Sequence, residues 1–351
     1  MFNHKKLNKM RKSSFSFRSW APLRLLILGL CGALSLSLSA CNDDDDDAPA
    51  APSQNIVQVA QSNADFSTLV AAVVKADLAT TLSGAGPFTV FAPTNAAFAK
   101  LAPPFNSAAS ISAITDAAQI SQLRGILLYH VVGANIKAAD IAAGASSATT
   151  ARPASMVGGT STNDNTLYLS KSSAGVFLNG STQVTMPDIS ASNGTIHAIN
   201  NVLMPPTQTI AQLVTTSASA ATPEFTYLLQ ALERPAAAAV LTAAADPSAN
   251  VTVFAPTDAA FRALLGSTPL SAVSDADLLA ILSLHVVGSG RVFSSDLAPG
   301  TVSTLGGNIT VASAGGGYTL KGGSGAAANV AMANILTTNG VVHVIDQVIQ
   351  P

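Results

Sequence analysis

The sequence predicts an α+β fold built twice along one chain, and three observations carry that prediction. An eleven-residue phrase, FTVFAPTNAAF at Phe88 to Phe98, returns as VTVFAPTDAAF at Val251 to Phe261. Two more blocks recur in the same order: ILLYHVVG, from Ile126, with ILSLHVVG, from Ile281, then NGTIHAINNVLMPP, from Asn193, with NGVVHVIDQVIQP, from Asn339. Helical periodicity precedes each phrase, and short alternating segments follow it. The offsets between copies fall from 163 (Phe91 to Phe254) to 155 (Ile126 to Ile281) to 146 (Asn193 to Asn339). Preserved order with shrinking spacing is what loop deletions do to a duplicated domain. The 351 residues leave room for two units of about 150 residues, each long enough to bury a core.

The elements follow in order. In the first unit Phe66, Leu69, Val70, Val73 and Val74 keep helical spacing, with Asp65 expected to cap them. In the second, Thr222-Pro223-Glu224 reads as N-cap, first-turn proline and acid ahead of Phe225, Leu228, Leu229 and Leu232. A β-rich run, Phe88 to Phe91 or Val251 to Phe254, is then broken by Ala-Pro. Thr94 or Thr257, followed by Asn95 or Asp258, offers a side-chain oxygen to the free amides of a short helix bearing Phe98 or Phe261. Another helix leads into His-Val-Val, and TLYLS, GVFLN, NITVA and YTLKG alternate between turns of Gly, Asn and Ser. SAGGGYTLKGGSG, from Ser313, lacks a phosphate cradle and reads as a hairpin. Ile196 to Leu203 and Val341 to Ile349 read as buried closing strands. Pro205-Pro206-Thr207 ends the first unit, and so short a link predicts a fairly fixed relation between the units. Helices early and strands late give the α+β class.

The N-terminus has a different composition. Residues 1–40 hold seven of the seventeen Lys and Arg and no acid, and LLILGLCGALSLSL ends at Leu38. Charge, apolar core and small residues match a signal peptide, and Leu38-Ser39-Ala40-Cys41 resembles a bacterial lipobox, so Cys41 is expected to be acylated and to become the mature N-terminus. Several acyl chains, at about 0.8 kcal/mol per buried CH₂, hold a protein to a bilayer durably. Residues 41–53, with Asp43 to Asp47 and Ala48-Pro49-Ala50-Ala51-Pro52, read as a self-repelling, proline-stiffened tether. By resemblance to lipoprotein sorting rules, Asn42 favours the outer membrane of a bacterial envelope. The acidic run raises export to the cell surface as a second expectation. Beyond residue 40 there are ten bases against nineteen acids, a net −9, so no basic face serves nucleic acid. Mean hydropathy is +0.39, yet no apolar run beyond residue 40 approaches the roughly 20 residues a spanning helix needs. Cys31 leaves with the leader and Cys41 is blocked, so the folded part is expected to rely on packing alone.

The phrase FTVFAPTNAAF, the His-Val-Val segment and the closing Gly-x-x-His block resemble the signature motifs of fasciclin (FAS1) domains. The resemblance covers 54–206 and 208–351. It implies two tandem domains, each a wedge of β-sheet flanked by helices, in a family of mostly secreted or membrane-anchored adhesion and matrix proteins. Tyr129 keeps the family's Tyr-His pair but the second unit has Leu284-His285, so ligand contacts that depend on that tyrosine carry over to the first unit only.

Four histidines, His130, His197, His285 and His343, stand at matched places in the two units. With Thr94, Asn95, Thr257 and Asp258 they invite a catalytic or metal-binding reading. Metal sites need a third ligand and an open position, and acid–base work needs a solvent-reachable pair. The flanks Leu-Tyr-His-Val-Val, Thr-Ile-His-Ala-Ile, Ser-Leu-His-Val-Val and Val-Val-His-Val-Ile are apolar instead. The rings are therefore expected to be neutral core groups satisfied by neighbouring backbone, and acid is expected to destabilise the fold. No cofactor, metal or enzymatic activity is expected. The expected role is adhesion or matrix interaction with an extracellular protein or polysaccharide; the alternative is a small-ligand-binding envelope lipoprotein without an adhesive role.

Overall fold

A computed structural model describes residues 52–157 and 160–351; the expected leader, Cys41 and the acidic run lie outside the described residues. In the first repeat the elements are α1 (Ile56–Ser62), α2 (Ser67–Lys75), α3 (Ala79–Leu82), β1 (Phe88–Pro93), α4 (Asn95–Phe98), α5 (Ala108–Ser112), α6 (Ala117–Tyr129) and β2 (Val131–Val132). Then come β3 (Gly144–Thr149), β4 (Met156–Val157), β5 (Thr160–Ser161), β6 (Thr166–Ser172), β7 (Gly175–Leu178), β8 (Thr182–Ala191) and β9 (Gly194–Ile199). The second repeat opens with α7 (Ile210–Ala218), α8 (Thr226–Leu232), α9 (Ala238–Ala245), β10 (Val251–Pro256), α10 (Asp258–Leu265), α11 (Asp275–Leu284) and β11 (Val286–Val287). It closes with β12 (Gly300–Thr304), β13 (Gly307–Ala314), β14 (Gly317–Lys321), β15 (Ala328–Thr337) and β16 (Gly340–Ile345).

Two seven-stranded sheets have the same order, β2-β1-β9-β8-β7-β6-β3 and β11-β10-β16-β15-β14-β13-β12. In each, the repeated phrase is the strand next to the edge, and it runs parallel to the closing strand with Phe91 beside His197 and Phe254 beside His343. Near-continuous apolarity suits a strand covered on both faces. Val90, Ala92, Ile196 and Ala198 face the helices, while Phe91 and Ile199 face a second core with Leu167, Leu169 and Leu178. Val253 and Ala255 against Phe254 repeat the division.

The second drop in the offset, from 155 to 146, has a location. Between β3 and β6 lie residues 150–165, which carry the β4–β5 ribbon, whereas only 305–306 separate β12 from β13. The longer β14–β15 connection, 322–327 against 179–181, returns part of the difference. The first-repeat insertion is organised by the buried Asp164 carboxylate, which pairs with Arg152 and accepts from the Ser155 amide (3.0 Å) and hydroxyl (2.6 Å).

Three expectations about element ends are corrected. Neither Asp65 nor Thr222 caps a helix: Asn63 accepts from the Asp65 amide, and α8 begins after Phe225 in a left-handed conformation without a local cap. Each repeat instead opens one helix earlier, on a capping box of Asn55 with Gln58 or Thr209 with Gln212. The closing strands also stop sooner, at Ile199 and Ile345. Val202-Leu203 and Val348-Ile349 stay buried beyond them, because the Leu203 and Ile349 amides find another acceptor, described below.

Candidate functional site

Thr94 and Thr257 cap the helix after the phrase, accepting from the Ala97 and Ala260 amides at 3.3 and 3.1 Å. The next residue reaches further. Asn95 Oδ1 accepts from the Thr68 amide (2.9 Å), and its Nδ2 donates to the Ala64 carbonyl (2.9 Å). Asp258 accepts from the Tyr227 amide (3.0 Å) and the Thr226 hydroxyl (2.6 Å). Both satisfy the opening amides of α2 and α8 from about thirty residues downstream, so the caps that Asp65 and Thr222 do not provide come from the repeated phrase.

The four histidines are at most 3% exposed. His130 sits just past α6, its Nδ1–H donating to the Ile126 carbonyl (2.8 Å) and its Nε2 accepting from the Leu203 amide (2.9 Å). His285 does the same with Ile281 (2.8 Å) and the Ile349 amide (3.0 Å). His197 and His343 take the opposite tautomer. Their Nε2–H donates to Ile136 and Val292 carbonyls, both at 2.8 Å, and Nδ1 accepts from the Asp188 (3.2 Å) and Asn334 (3.4 Å) amides. These two rings lie against Phe91 and Phe254, with centroids 5.4 and 5.6 Å apart. Every ring nitrogen thus has a backbone partner, one as donor and one as acceptor, which only the neutral ring satisfies. Burial pushes His130 and His285 down to about 4, against the pull of the Ile126 and Ile281 carbonyls. Among the described residues no three His, Cys, Asp or Glu side chains come together to hold a metal.

Tyr129 is fully buried; its hydroxyl donates to the Thr166 carbonyl (2.7 Å) and accepts from Asn179 Nδ2 (3.2 Å), and burial raises its pKa. Its place in the second repeat is filled by Leu284, buried with Phe254 and Leu320. Tyr129→Phe is expected to cost about 1–2 kcal/mol, since it removes one hydroxyl and strands two partners, and urea unfolding measures it. An unchanged midpoint would show that the phenol is not a structural group.

Two residue pairs escaped the sequence reading. Asn193 accepts from the Ile56 amide (2.9 Å) and donates to the Leu82 and Gly84 carbonyls (both 2.8 Å). Asn339 repeats this with Ile210, Ala244 and Asp246, all at 2.9 Å. The following glycine lets the strands close: at Gly194, φ +155°, a Cβ would lie 1.9 Å from the Phe88 carbonyl oxygen. Thr89 and Thr252 hydroxyls likewise donate to Ala134 and Gly290 and accept from Ile136 and Val292. The available signal was the identity of Asn-Gly and of the phrase's threonine in both copies.

The repeats meet along a seam. The Arg291 guanidinium lies 4.8 Å over the Tyr168 ring, Phe293 packs beside it at 5.5 Å, and Ser170 donates to Asp296. Next to the link, within the second repeat, the Thr338 amide donates to the Gln208 carbonyl (2.9 Å).

Comparison with known proteins adds four findings. The fasciclin domain profile matches residues 64–205 and 223–351. Protein sll1483 of Synechocystis sp. is 41% identical over 151 residues, 43% of this chain and 73% of that protein. Immunogenic protein MPB70 of Mycobacterium bovis is 31% identical over 211 residues, 57% of this chain and 97% of that protein. Among solved structures, a FAS1 domain pair from the insect cell adhesion molecule fasciclin I aligns over 80% of this chain and 92% of that one, at 17% identity and TM-score 0.36.

Proposed function

The chain belongs to the fasciclin domain family, and from that premise we propose that it is a lipid-anchored bacterial envelope protein making adhesive or matrix contacts through its tandem repeats. The observation that carries the reading is the internal use of the repeated polar groups. The Thr94, Asn95, Thr257 and Asp258 side chains and all four histidines are engaged by backbone within their own repeat. That leaves recognition, without catalysis, to the outer surface. The partner class is an extracellular protein or polysaccharide, and two weak contacts on one anchored chain reinforce each other through effective concentration.

A glycan and matrix-protein array probed with the 54–351 fragment tests this, and retention of no component would overturn it. Cys41→Ser is expected to release the protein from the membrane fraction, since the acyl chains supply the attachment; a variant still sedimenting with membranes would refute anchoring at Cys41. Protease shaving of intact cells distinguishes surface display from a periplasm-facing position.

The alternative, a small-ligand-binding lipoprotein, is favoured by one feature. A cleft of about 310 Å³ lies between Asn179–Thr182, the 202–208 link and Asn334–Thr337. The apolar cavities beside His130 and His285 are about 30 Å³ each, room for little more than a water molecule, so a ligand would have to be polar.

A further inference from the structure

The seam rests on a small set of atoms in the second repeat. The Asn179–Gly180 turn of the first repeat presses onto Phe293 and Asn334: a Cβ at Gly180, φ +76°, would lie 2.7 Å from Phe293 Cβ and 2.8 Å from Asn334 Cγ. Asn334 sits at a bulge in β15 with φ +63°. Its Oδ1 accepts from the Ser294 amide (2.8 Å) and its Nδ2 donates to the Ser294 hydroxyl (2.6 Å), tying the bulge to the segment that carries Arg291, Phe293 and Asp296. Beneath both lies His343. Its Nε2–H holds the Val292 carbonyl and its Nδ1 receives the Asn334 amide, so one ring joins the two pieces of backbone on which the first repeat is seated.

We propose that His343 is a protonation latch for this seam, closed when the ring is neutral and opened by acid. A proton taken from solvent onto Nδ1 sets an N–H against the Asn334 N–H, and the amide loses its acceptor. The bulge and the Val292–Asp296 segment then separate from the ring, and the Gly180 turn loses its seat. Burial lowers the His343 pKa against the pull of the Val292 carbonyl, so the ring is neutral at pH 7 and charges below the ordinary histidine range. The charged or titratable groups on the packed elements are few. Arg291 and Asp296 lie on the same segment, Tyr168 and Lys171 on the facing β6, and none besides His343 on β10, β15, β16 or the 179–181 turn. His197 makes the matching contacts in the first repeat, but Asp188 above it is exposed and supports no turn of another repeat. The latch therefore belongs to one histidine of the four, and it does not depend on what the protein binds.

The test places spin labels at the exposed Val74 and Leu305, as Val74→Cys and Leu305→Cys in the mature chain carrying Cys41→Ser, and reads their distance distribution from pH 7.5 to 4.5. Far-UV circular dichroism on the same samples establishes that both repeats remain folded. One bound proton allows the ratio of open to closed molecules to rise up to tenfold per pH unit. The expected result is a second distance population that grows within that limit below the ordinary histidine range and vanishes on return to pH 7.5. His343→Gln, which keeps a donor and an acceptor but cannot charge, is expected to hold a single population throughout. Gly180→Ala is expected to open the seam already at pH 7.5. A wild-type chain that keeps one distance until circular dichroism is lost, a His343→Gln chain that opens like wild type, or a Gly180→Ala chain that stays closed at pH 7.5 would each overturn the proposal.

Discussion

Lowering the pH from 7.5 to 4.5 is expected to remove about 2.5 kcal/mol of folding stability for each of His130 and His285. In the unfolded chain both rings titrate near the ordinary value of about 6.5; in the folded chain burial holds them down to about 4. The unfolded state therefore binds more protons throughout this interval. Stability is complete above the unfolded value and falls as the pH drops towards the folded one, reaching about 3 kcal/mol per ring. The structural reason is that a proton on Nε2 points at the Leu203 or Ile349 amide, two donors face to face in a buried site. One such ring lies in each repeat, and total stabilities run to about 5–15 kcal/mol, so the effect is large whether the repeats unfold together or apart. Urea midpoints at the two pH values measure it. Equal midpoints would mean that these rings are charged, or exposed, in the folded protein.

The same two contacts explain which parts of the fold the sequence made legible. Repetition located the phrase, the His-Val-Val segment and the closing block, and apolar flanks identified histidines as core groups, because those signals lie within a few residues of each other. What sequence periodicity missed depends on pairings across the fold. Val202-Leu203 is as apolar as a strand, so periodicity carries the closing strand past Ile199, yet the Leu203 amide bonds an imidazole 73 residues away. The later start of α8 has a parallel reason. Thr222-Pro223-Glu224 has the composition of a helix opening, but Asp258 supplies the cap from 31 residues downstream to the Tyr227 amide. Local propensity predicts an element, and a distant side chain decides where it ends. The seam was the least legible part. Tyr168 takes an off-core place in an alternating strand, Arg291 and Phe293 lie between elements, and their meaning depends on the two repeats being placed together.

Asn339→Ala is expected to destabilise the protein by about 3 kcal/mol and Asn193→Ala by about 2 kcal/mol. Each asparagine satisfies three backbone groups at once: the first amide of the opening helix and two carbonyls of the segment before the repeated-phrase strand. Alanine leaves those groups without partners, and the cost grows with their distance from water. Asn339 is fully buried whereas Asn193 is partly exposed, so water replaces more of what is lost in the first repeat. Asn339→Asp separates this account from a simple loss of packing. It keeps the shape and the acceptor for the Ile210 amide but turns the donor towards Ala244 and Asp246 into a second acceptor and introduces a buried charge. It is expected to be at least as damaging as alanine near pH 7. Denaturant titration of the three variants gives the order. A cost below about 1 kcal/mol for Asn339→Ala, or an aspartate better tolerated than alanine, would show that the strand pairing beside Gly340, and not the asparagine, joins the first helix of each repeat to its last strand.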